Sequence, residues 1–339
     1  MAEQWKPITA ITMGDPAGIG PEICMETMLH QEIFDVCRPF VIGSQAVMER
    51  AAACKGLALQ FHKITTPEEA LFTYGICDVM ETGDYDTDSL EWGKVQKLAG
   101  QMAVDFIDRS IELGLAGKID AVSTAPINKQ AIKLAGIQEP GHTELYQHKT
   151  NSPYALTMFS CHKLRVFFLS RHLSLADACK YVTKEEVLRS VIDIDHELRK
   201  LGMENPTIAI AALNPHGGDN GLFGTEEITQ LMPAVAAARE KGINCVGPCP
   251  ADSVFHHGKT GVYDAILSLY HDQGHIACKT LDFERSVTLT FGLPFIRASV
   301  DHGTAFDMAG KGIAQSTSMI ESTKVAAAYA ALKHNMAQK

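Results

Sequence analysis

The stretch YDAILSLYHDQGHIACKTLDFERSVTLTFGLPFIR, residues 263–297, puts a possible metal ligand, a lysine and an arginine into one compact region. Its apolar start (Ala265, Ile266, Leu269) reads as helix-like and breaks at His271-Asp272-Gln273-Gly274. A short connection carries Lys279, and the alternating Val287-Thr288-Leu289-Thr290 leads through Gly292 and Pro294 to Arg297. Polar groups thus gather where regular structure ends, which is where sites tend to be built.

Around this stretch, strand-like runs alternate with helix-like ones, the pattern of an α/β protein. Pro7–Met13 reads as a strand running into the turn Gly14–Glu22, with Pro21 suited to the first turn of a helix. Phe40–Ile42, Ile119–Ser123, Thr207–Leu213 and Cys245–Pro250 read as further strands. Tyr154–Ser160 and Leu164–Ser170 read as an antiparallel pair. Gln45–Ala53, Lys94–Leu115, Asn128–Leu134, Glu226–Lys241 and Glu321–Asn335 read as helices. Thr183 with Glu186 forms a capping box ahead of an apolar helical face from Val187 to Leu201. The acidic region Thr65–Trp92 reads as loop-rich.

A chain of 339 residues is long enough for two domains or one large α/β unit with a cleft. Its formal charge of −10 argues against nucleic-acid binding, which needs basic patches. That charge leaves room for an anionic small substrate held by a few local cations. No apolar run approaches a membrane span and the N-terminus lacks an export signal, so neither membrane nor secretion is expected. Nine cysteines without a pairing framework suit reduced thiols in a cytoplasm.

Three histidines share a setting: His172 and His216 each follow a strand, and His271 follows the apolar run of the opening stretch. Neutral imidazole is the commonest metal ligand, and three leave coordination positions open for a substrate. The bland alternative is three ordinary, partly buried histidines. Lys279, Arg297, His142 and Thr143 form a possible anion site, because cations near a buried strand need an anionic partner. The alternative is a pair of surface cations. Gly14–Gly20 has the spacing G-x-x-x-G-x-G, not the dinucleotide fingerprint, and a tight strand-to-helix turn explains it. The segment 300–312, VDHGTAFDMAGKG, is a better cofactor candidate: its glycines permit close approach and Asp307 can accept from ribose hydroxyls. Cys278 reads as a small buried residue sooner than a thiolate.

Together GDPAGIGPE (14–22), STAPINK (123–129), GHTE (141–144), LNPHGG (213–218), YHDQG (270–274) and GLPFIRASVDHGTAFDMAGKG (292–312) resemble the 4-hydroxythreonine-4-phosphate dehydrogenase family. The resemblance runs through nearly the whole chain in family order. It implies a two-domain α/β fold with a cleft, similar to the isocitrate and isopropylmalate dehydrogenases. The expected domains are 1–125 plus 290–339 on the cofactor side and 126–289 for substrate, metal and dimerisation. It further implies NAD bound through His302, Gly303, Thr304 and Asp307, without a Rossmann fingerprint. A divalent cation (Zn, Mg, Mn or Co) is expected on His172, His216 and His271, at the interface of a homodimer. Substrate contacts match His142, Thr143, Lys279, Arg297 and position 288. Lys279, Asp272 and Asp252 are the candidates for general base.

One departure stands out. The biosynthetic enzymes typically carry asparagine nine residues after the lysine, where this chain has Thr288. A threonine offers one rotatable hydroxyl in place of an amide. The chain therefore resembles a paralogous branch acting on 4-phospho-D-threonate, or its erythronate epimer, with oxidative decarboxylation to dihydroxyacetone phosphate. The vitamin B6 enzyme acting on 4-phosphohydroxy-L-threonine is the alternative. A catalytically silent binder of sugar-acid phosphates is a reading of another class. A metal-dependent hydrolase lacks a water-activating carboxylate beside the histidines.

Overall fold

The computed structural model describes residues 5–338. The chain begins β1 (Ile8–Thr12), α1 (Gly20–Thr27), α2 (Gln31–Val36), β2 (Arg38–Gly43), α3 (Gln45–Lys55) and β3 (Gln60–Ile64). It continues with β4 (Ile76–Glu81), α4 (Lys97–Leu115), β5 (Ala121–Thr124), α5 (Lys129–Leu134) and α6 (His142–Lys149). Next come β6 (Leu156–Cys161), β7 (Leu164–Phe168), α7 (Leu175–Tyr181), α8 (Lys184–Lys200), β8 (Ile208–Ala211) and α9 (Met232–Glu240). β9 (Cys245–Cys249), α10 (Ala251–Thr260), β10 (Ala265–Ser268) and α11 (His271–Leu281) follow, and β11 (Val287–Phe291), β12 (Ile296–Val300) and α12 (Thr317–Ala337) close it. The fold class is α/β.

Contacts divide the chain into two compact units. The first takes the chain up to Ala155 together with Val287–His334, and the second takes Leu156–Ser286 with the residues after His334. Residues 126–155, expected with the second domain, group with the first unit. The reason is packing: Ile132, Leu145 and Tyr146 belong to the apolar cluster that also holds Met102, Phe106 and Phe295.

In the first unit the strand order is β3-β4-β2-β1-β5-β12-β11. All neighbours are parallel except β11 and β12, which pair antiparallel with Thr288 opposite Ser299 and Thr290 opposite Arg297. The central strands are buried on both faces, as parallel strands covered by helices must be. β4 lies inside the region expected to be loop-rich. Its alternation is hidden because Asp78, fully buried, accepts the backbone N–H groups of Leu71 and Phe72 instead of facing water.

In the second unit the order is β6-β7-β10-β8-β9, antiparallel for β6–β7 and parallel for the rest. This corrects the reading of Ala265–Leu269 as helix-like. A short run that is apolar throughout fits a doubly covered strand as well as a helix, and its place between β7 and β8 decides for strand. The helix begins where the sequence suggested a break, at His271, and it carries Lys279. The capping box is half made: Thr183 Oγ1 accepts from Glu186 N–H at 3.3 Å, while the Glu186 carboxylate takes the Tyr181 hydroxyl at 2.6 Å. Glu226–Lys241 is not one regular helix, because a π-helical turn at Glu227–Leu231 precedes α9.

No helix among the described residues is long and apolar enough to cross a membrane. None of the nine cysteines is in a disulfide.

The seam between α4 and α5 gives a stability test. A Cβ added at Gly100 would lie 2.1 Å from the Ala131 carbonyl oxygen, a backbone atom with little freedom to retreat. Gly100→Ala should therefore destabilise by about 1–3 kcal/mol net of the helix-propensity gain, read as a lower urea midpoint. An unchanged or raised midpoint would contradict the packing.

Candidate functional site

In the first unit, Arg297 lies mid-strand on β12 and is only 3% exposed. Its Nη1 donates to Thr290 Oγ1 and its Nη2 to Thr124 Oγ1, each at 2.9 Å. The guanidinium sits 5.1 Å from the centroid of the Tyr146 ring, a cation–π contact. Tyr146 is itself buried and its hydroxyl is 2.6 Å from Ser110 Oγ. His142, one helical turn before Tyr146 on α6, has its ring centroid 6.5 Å from that of the tyrosine. Burial first, and then the Arg297 charge, hold the His142 imidazole well below its usual pKa, so it is neutral at physiological pH. Its buried Nε2 has no hydrogen-bond partner among the described residues. Thr143, the next residue on α6, is half-buried.

The structure thus brings Arg297 and His142 together and adds Thr124, Tyr146 and Thr290. Sequence reasoning passed over those three. Thr290 shares a strand face with Thr288, and Tyr146 lies four residues after His142; either spacing was a usable signal. Thr288 Oγ1 donates to the Ser299 carbonyl at 3.3 Å, so outward it presents only acceptor lone pairs.

Also in the first unit, the 14–22 turn supports the 300–312 segment. Ile19 N–H donates to the Thr304 carbonyl at 3.0 Å, and Gly310 N–H donates to Glu22 Oε1 at 2.7 Å. A Cβ at Gly18 would meet Thr304 at 2.9 Å, and one at Gly20 would meet the Met13 carbonyl oxygen at 2.2 Å. These glycines serve close packing, as the tight-turn reading holds. Thr304 is buried against this turn, whereas Gly303 and Asp307 are exposed and a Cβ at Gly303 would meet nothing within 4 Å. His302 is half-buried, with Nδ1 3.0 Å from the Gly303 carbonyl. Open backbone beside a solvent-facing carboxylate suits a ribose, so this donor and acceptor set fits a nicotinamide dinucleotide.

In the second unit, His172, His271 and His216 follow the carboxyl ends of β7, β10 and β8, which are consecutive neighbours in the sheet. All three are exposed. No three His, Cys, Asp or Glu side chains among the described residues are grouped closely enough to hold a metal ion. As a donor type, neutral imidazole fits a divalent metal. Asp272 Oδ1 is 2.6 Å from His271 Nδ1, an arrangement that orients the ring and leaves Nε2 outward. His275 stacks on His271 with centroids 3.7 Å apart and places its Nδ1 2.8 Å from the His271 carbonyl. Burial, chiefly, lowers the His275 pKa to about 4, and the ring packs against Phe159 and Phe168. Lys279 is two turns further along the same helical face, with Nζ 5.2 Å from the Phe283 ring centroid.

His216 sits in a left-handed turn, residues 216–220, whose φ values are 56°, 69°, 80°, 41° and 56°. Glu227 Oε1 accepts the backbone N–H groups of Leu213 at 2.8 Å and Asn214 at 2.7 Å, and Oε2 accepts Asn214 Nδ2 at 2.9 Å. Burial pushes the Glu227 carboxyl up, but these donors outweigh it and hold the group below its usual range. Asp252 lies at the start of α10, lining a groove with Phe255, Gln273 and Ile276. Cys278 is fully buried in the apolar cluster of this unit.

The family model described as "Pyridoxal phosphate biosynthetic protein PdxA" matches residues 35–326. A protein of Symbiobacterium thermophilum named "Putative D-threonate 4-phosphate dehydrogenase" is 50% identical over 326 residues, covering 96% of this chain and 97% of its own. A Halalkalibacterium halodurans protein of the same name is 50% identical over 325 residues, with the same coverage. The crystal structure of a 4-hydroxythreonine-4-phosphate dehydrogenase from Klebsiella pneumoniae superposes with a TM-score of 0.90 at 40% identity, covering 97% of this chain and 99% of that one.

One group in the 14–22 turn gives a pH test. Burial raises the Asp15 carboxyl to about 6, against the lowering effect of backbone hydrogen bonds at Ala17 and Asn128. A carboxyl whose folded pKa exceeds its unfolded value adds stability below the unfolded pKa and loses it as pH rises through the folded one. Between pH about 4 and about 6, stability should therefore decline by a contribution on the order of 3 kcal/mol. Asp15→Asn, which keeps an acceptor for Ala17 N–H, should remove that slope from urea melts taken across the window. An identical slope in the variant would show that the proton resides elsewhere.

Proposed function

The chain belongs to the family of the pyridoxal phosphate biosynthetic protein PdxA, and we propose that it oxidises 4-phospho-D-threonate, or its erythronate epimer, to dihydroxyacetone phosphate and carbon dioxide. It is a dehydrogenase. The observation that carries the substrate class is Arg297. A permanent cation, buried and held by two neutral hydroxyls and an aromatic face, is a preformed receptor for an anion. His142, kept neutral beside it, retains both a donor and an acceptor nitrogen for the same substrate. Thr143 and Lys279 would supply the further hydroxyl and cation that a molecule with both phosphate and carboxylate requires.

When bound, a divalent metal would lower the pKa of a substrate hydroxyl, and NAD would accept the hydride. His172, His216 and His271 would hold that metal, and Gly303 and Asp307 would face the cofactor ribose. Asp272 would fix the His271 ring, which makes it a positioning residue more than a base. Oxidation at C3 leaves a 3-oxo acid, which loses carbon dioxide as its C2–carboxylate bond breaks toward the new carbonyl. Among the three base candidates, Lys279 fits best by its helical face shared with His271.

A homodimer would complete the metal site. Exposed apolar side chains flank each histidine: Leu173 and Leu175 after His172, Leu222 and Phe223 after His216, and Ile276 after His271. Such surface suits burial against a second copy of the chain. Cysteines without disulfides suit a reducing cytoplasm.

Thr288 supports the hydroxy-acid branch. Its hydroxyl hydrogen is engaged by Ser299, and an ammonium brought to this face would approach the Arg297 charge, whereas a neutral 2-hydroxyl would not. The vitamin B6 substrate is the second reading, favoured by the name of the Klebsiella structure.

Two measurements test this. NADH absorbance should rise faster with 4-phospho-D-threonate than with 4-phosphohydroxy-L-threonine; the reverse order returns the enzyme to the second reading, and no NADH with any C4 acid phosphate leaves a silent binder. His216→Ala should keep the thermal midpoint while losing most bound metal and turnover, and full activity in metal-free variant would remove the metal from the mechanism.

A further inference from the structure

The turn that carries His216 is an unusual piece of backbone. Five consecutive residues, 216–220, lie in the left-handed region, and three of them, His216, Asp219 and Asn220, are not glycine. Left-handed φ is unfavourable for a residue with a Cβ and persists only where the surroundings over-determine it. Glu227 braces the chain that leads into the turn and packs against Gly218. Only 1% exposed, its carboxylate accepts from the N–H groups of the two residues entering the turn and from the Asn214 amide. Asn214 Nδ2 also donates to Glu226 Oε2 at 2.7 Å. The π-helical turn at Glu227–Leu231 adds a residue to the helix at the place where this carboxylate meets the connection after β8. Gly218 leaves room for it, since a Cβ there would sit 2.7 Å from Glu227 Oε2.

We infer that Glu227 is a positioning residue for His216: the buried carboxylate holds the left-handed turn that presents this imidazole for metal binding. This rests on the metal reading given above. In sequence, Glu226–Lys241 reads as one helix, and nothing there singles out Glu227. A carboxylate with all of its oxygens directed at one connection is doing something an aliphatic residue could not. Without it, Leu213 and Asn214 lose their acceptor and the turn is free to relax toward right-handed backbone, carrying His216 away.

The test uses the full chain, stripped with chelator and titrated with Mn²⁺ or Zn²⁺ by calorimetry. Glu227→Ala should weaken metal binding by about 10- to 100-fold, the usual penalty for losing a residue that orients a ligand. Glu227→Gln keeps one oxygen for the two backbone donors but sets an amide against Asn214 Nδ2, so its loss should be smaller. At saturating metal both variants should approach the wild-type kcat, with the activation constant for metal raised, a split that general loosening of the fold would not produce. Amide hydrogen exchange at residues 213–221 should quicken in the metal-free variants. Wild-type protein that takes up neither metal would fail the metal reading itself. Wild-type binding matched by a folded Glu227→Ala or Glu227→Gln protein, or unchanged exchange at 213–221, would overturn this inference alone. Should Glu227→Ala not fold, the glutamine variant decides the matter.

Discussion

Parallel pairing fixes which connecting segments of this protein come together. Parallel strands in register end together, so whatever follows them is gathered along one edge. In the first unit Thr12 and Ser299 both pair with Thr124, so β1, β5 and β12 finish side by side. The segments that leave them are the 14–22 turn, the 125–129 connection and the 301–312 loop. They are stitched to one another by Asp15 N–H to the Pro126 carbonyl and Ile19 N–H to the Thr304 carbonyl. In the second unit the same rule puts three histidines after three adjacent strands although 99 residues separate the first from the last in sequence. The strand ends create the opportunity, and the local backbone decides which side chain uses it.

Burying Arg297 carries an energetic cost that a bound anion would help to offset. An arginine inside a strand pair gives up its hydration, a penalty of several kcal/mol toward which the Thr124 and Thr290 hydroxyls and the Tyr146 ring face contribute compensation. The same arrangement has a use. Because Thr124, Thr290 and Tyr146 already fix the guanidinium, an incoming anion need not order it, and its charge acts in a medium where it is poorly screened. The neutral state of His142 follows first from its burial and then from the same charge, so the buried cation adds to what burial already does to its neighbour.

Much of this was legible in the sequence, and what was missed has physical causes. Alternation of strand and helix gave the α/β class, and the motif order gave the family. Ala265–Leu269 was misread because an apolar run of that length has no period to distinguish a doubly covered strand from a helix. β4 was missed because Asp78 is buried with backbone partners, which breaks the expected pattern. Contacts group residues 126–155 with the first unit, and the packing of α5 and α6 on α4 that puts them there is a tertiary property with no local signature. Candidate residues with chemically distinctive side chains, among them Arg297, His142 and the three histidines, stand out in the sequence itself. Their supports, Thr124, Thr290, Tyr146, His275 and Glu227, are common residue types whose importance exists only through what they touch.

That asymmetry has a consequence for how specificity is encoded. Thr288 stands at a position where an asparagine would project both donors and an acceptor, and the number of polar atoms suggests a simple loss. The structure makes it a change of kind. With the hydroxyl hydrogen directed to the Ser299 carbonyl, the oxygen presents lone pairs only, and its orientation is set by the β11–β12 pairing. A hydroxyl and an ammonium can both donate to it, so hydrogen-bond polarity does not separate the two substrates. Charge would, on the proposed function, because Arg297 lies on the same face of the antiparallel pair, opposite Thr290, and an ammonium placed there would have to be desolvated beside a guanidinium. On the proposed function, discrimination at position 288 would therefore depend on an arginine that the substitution does not touch.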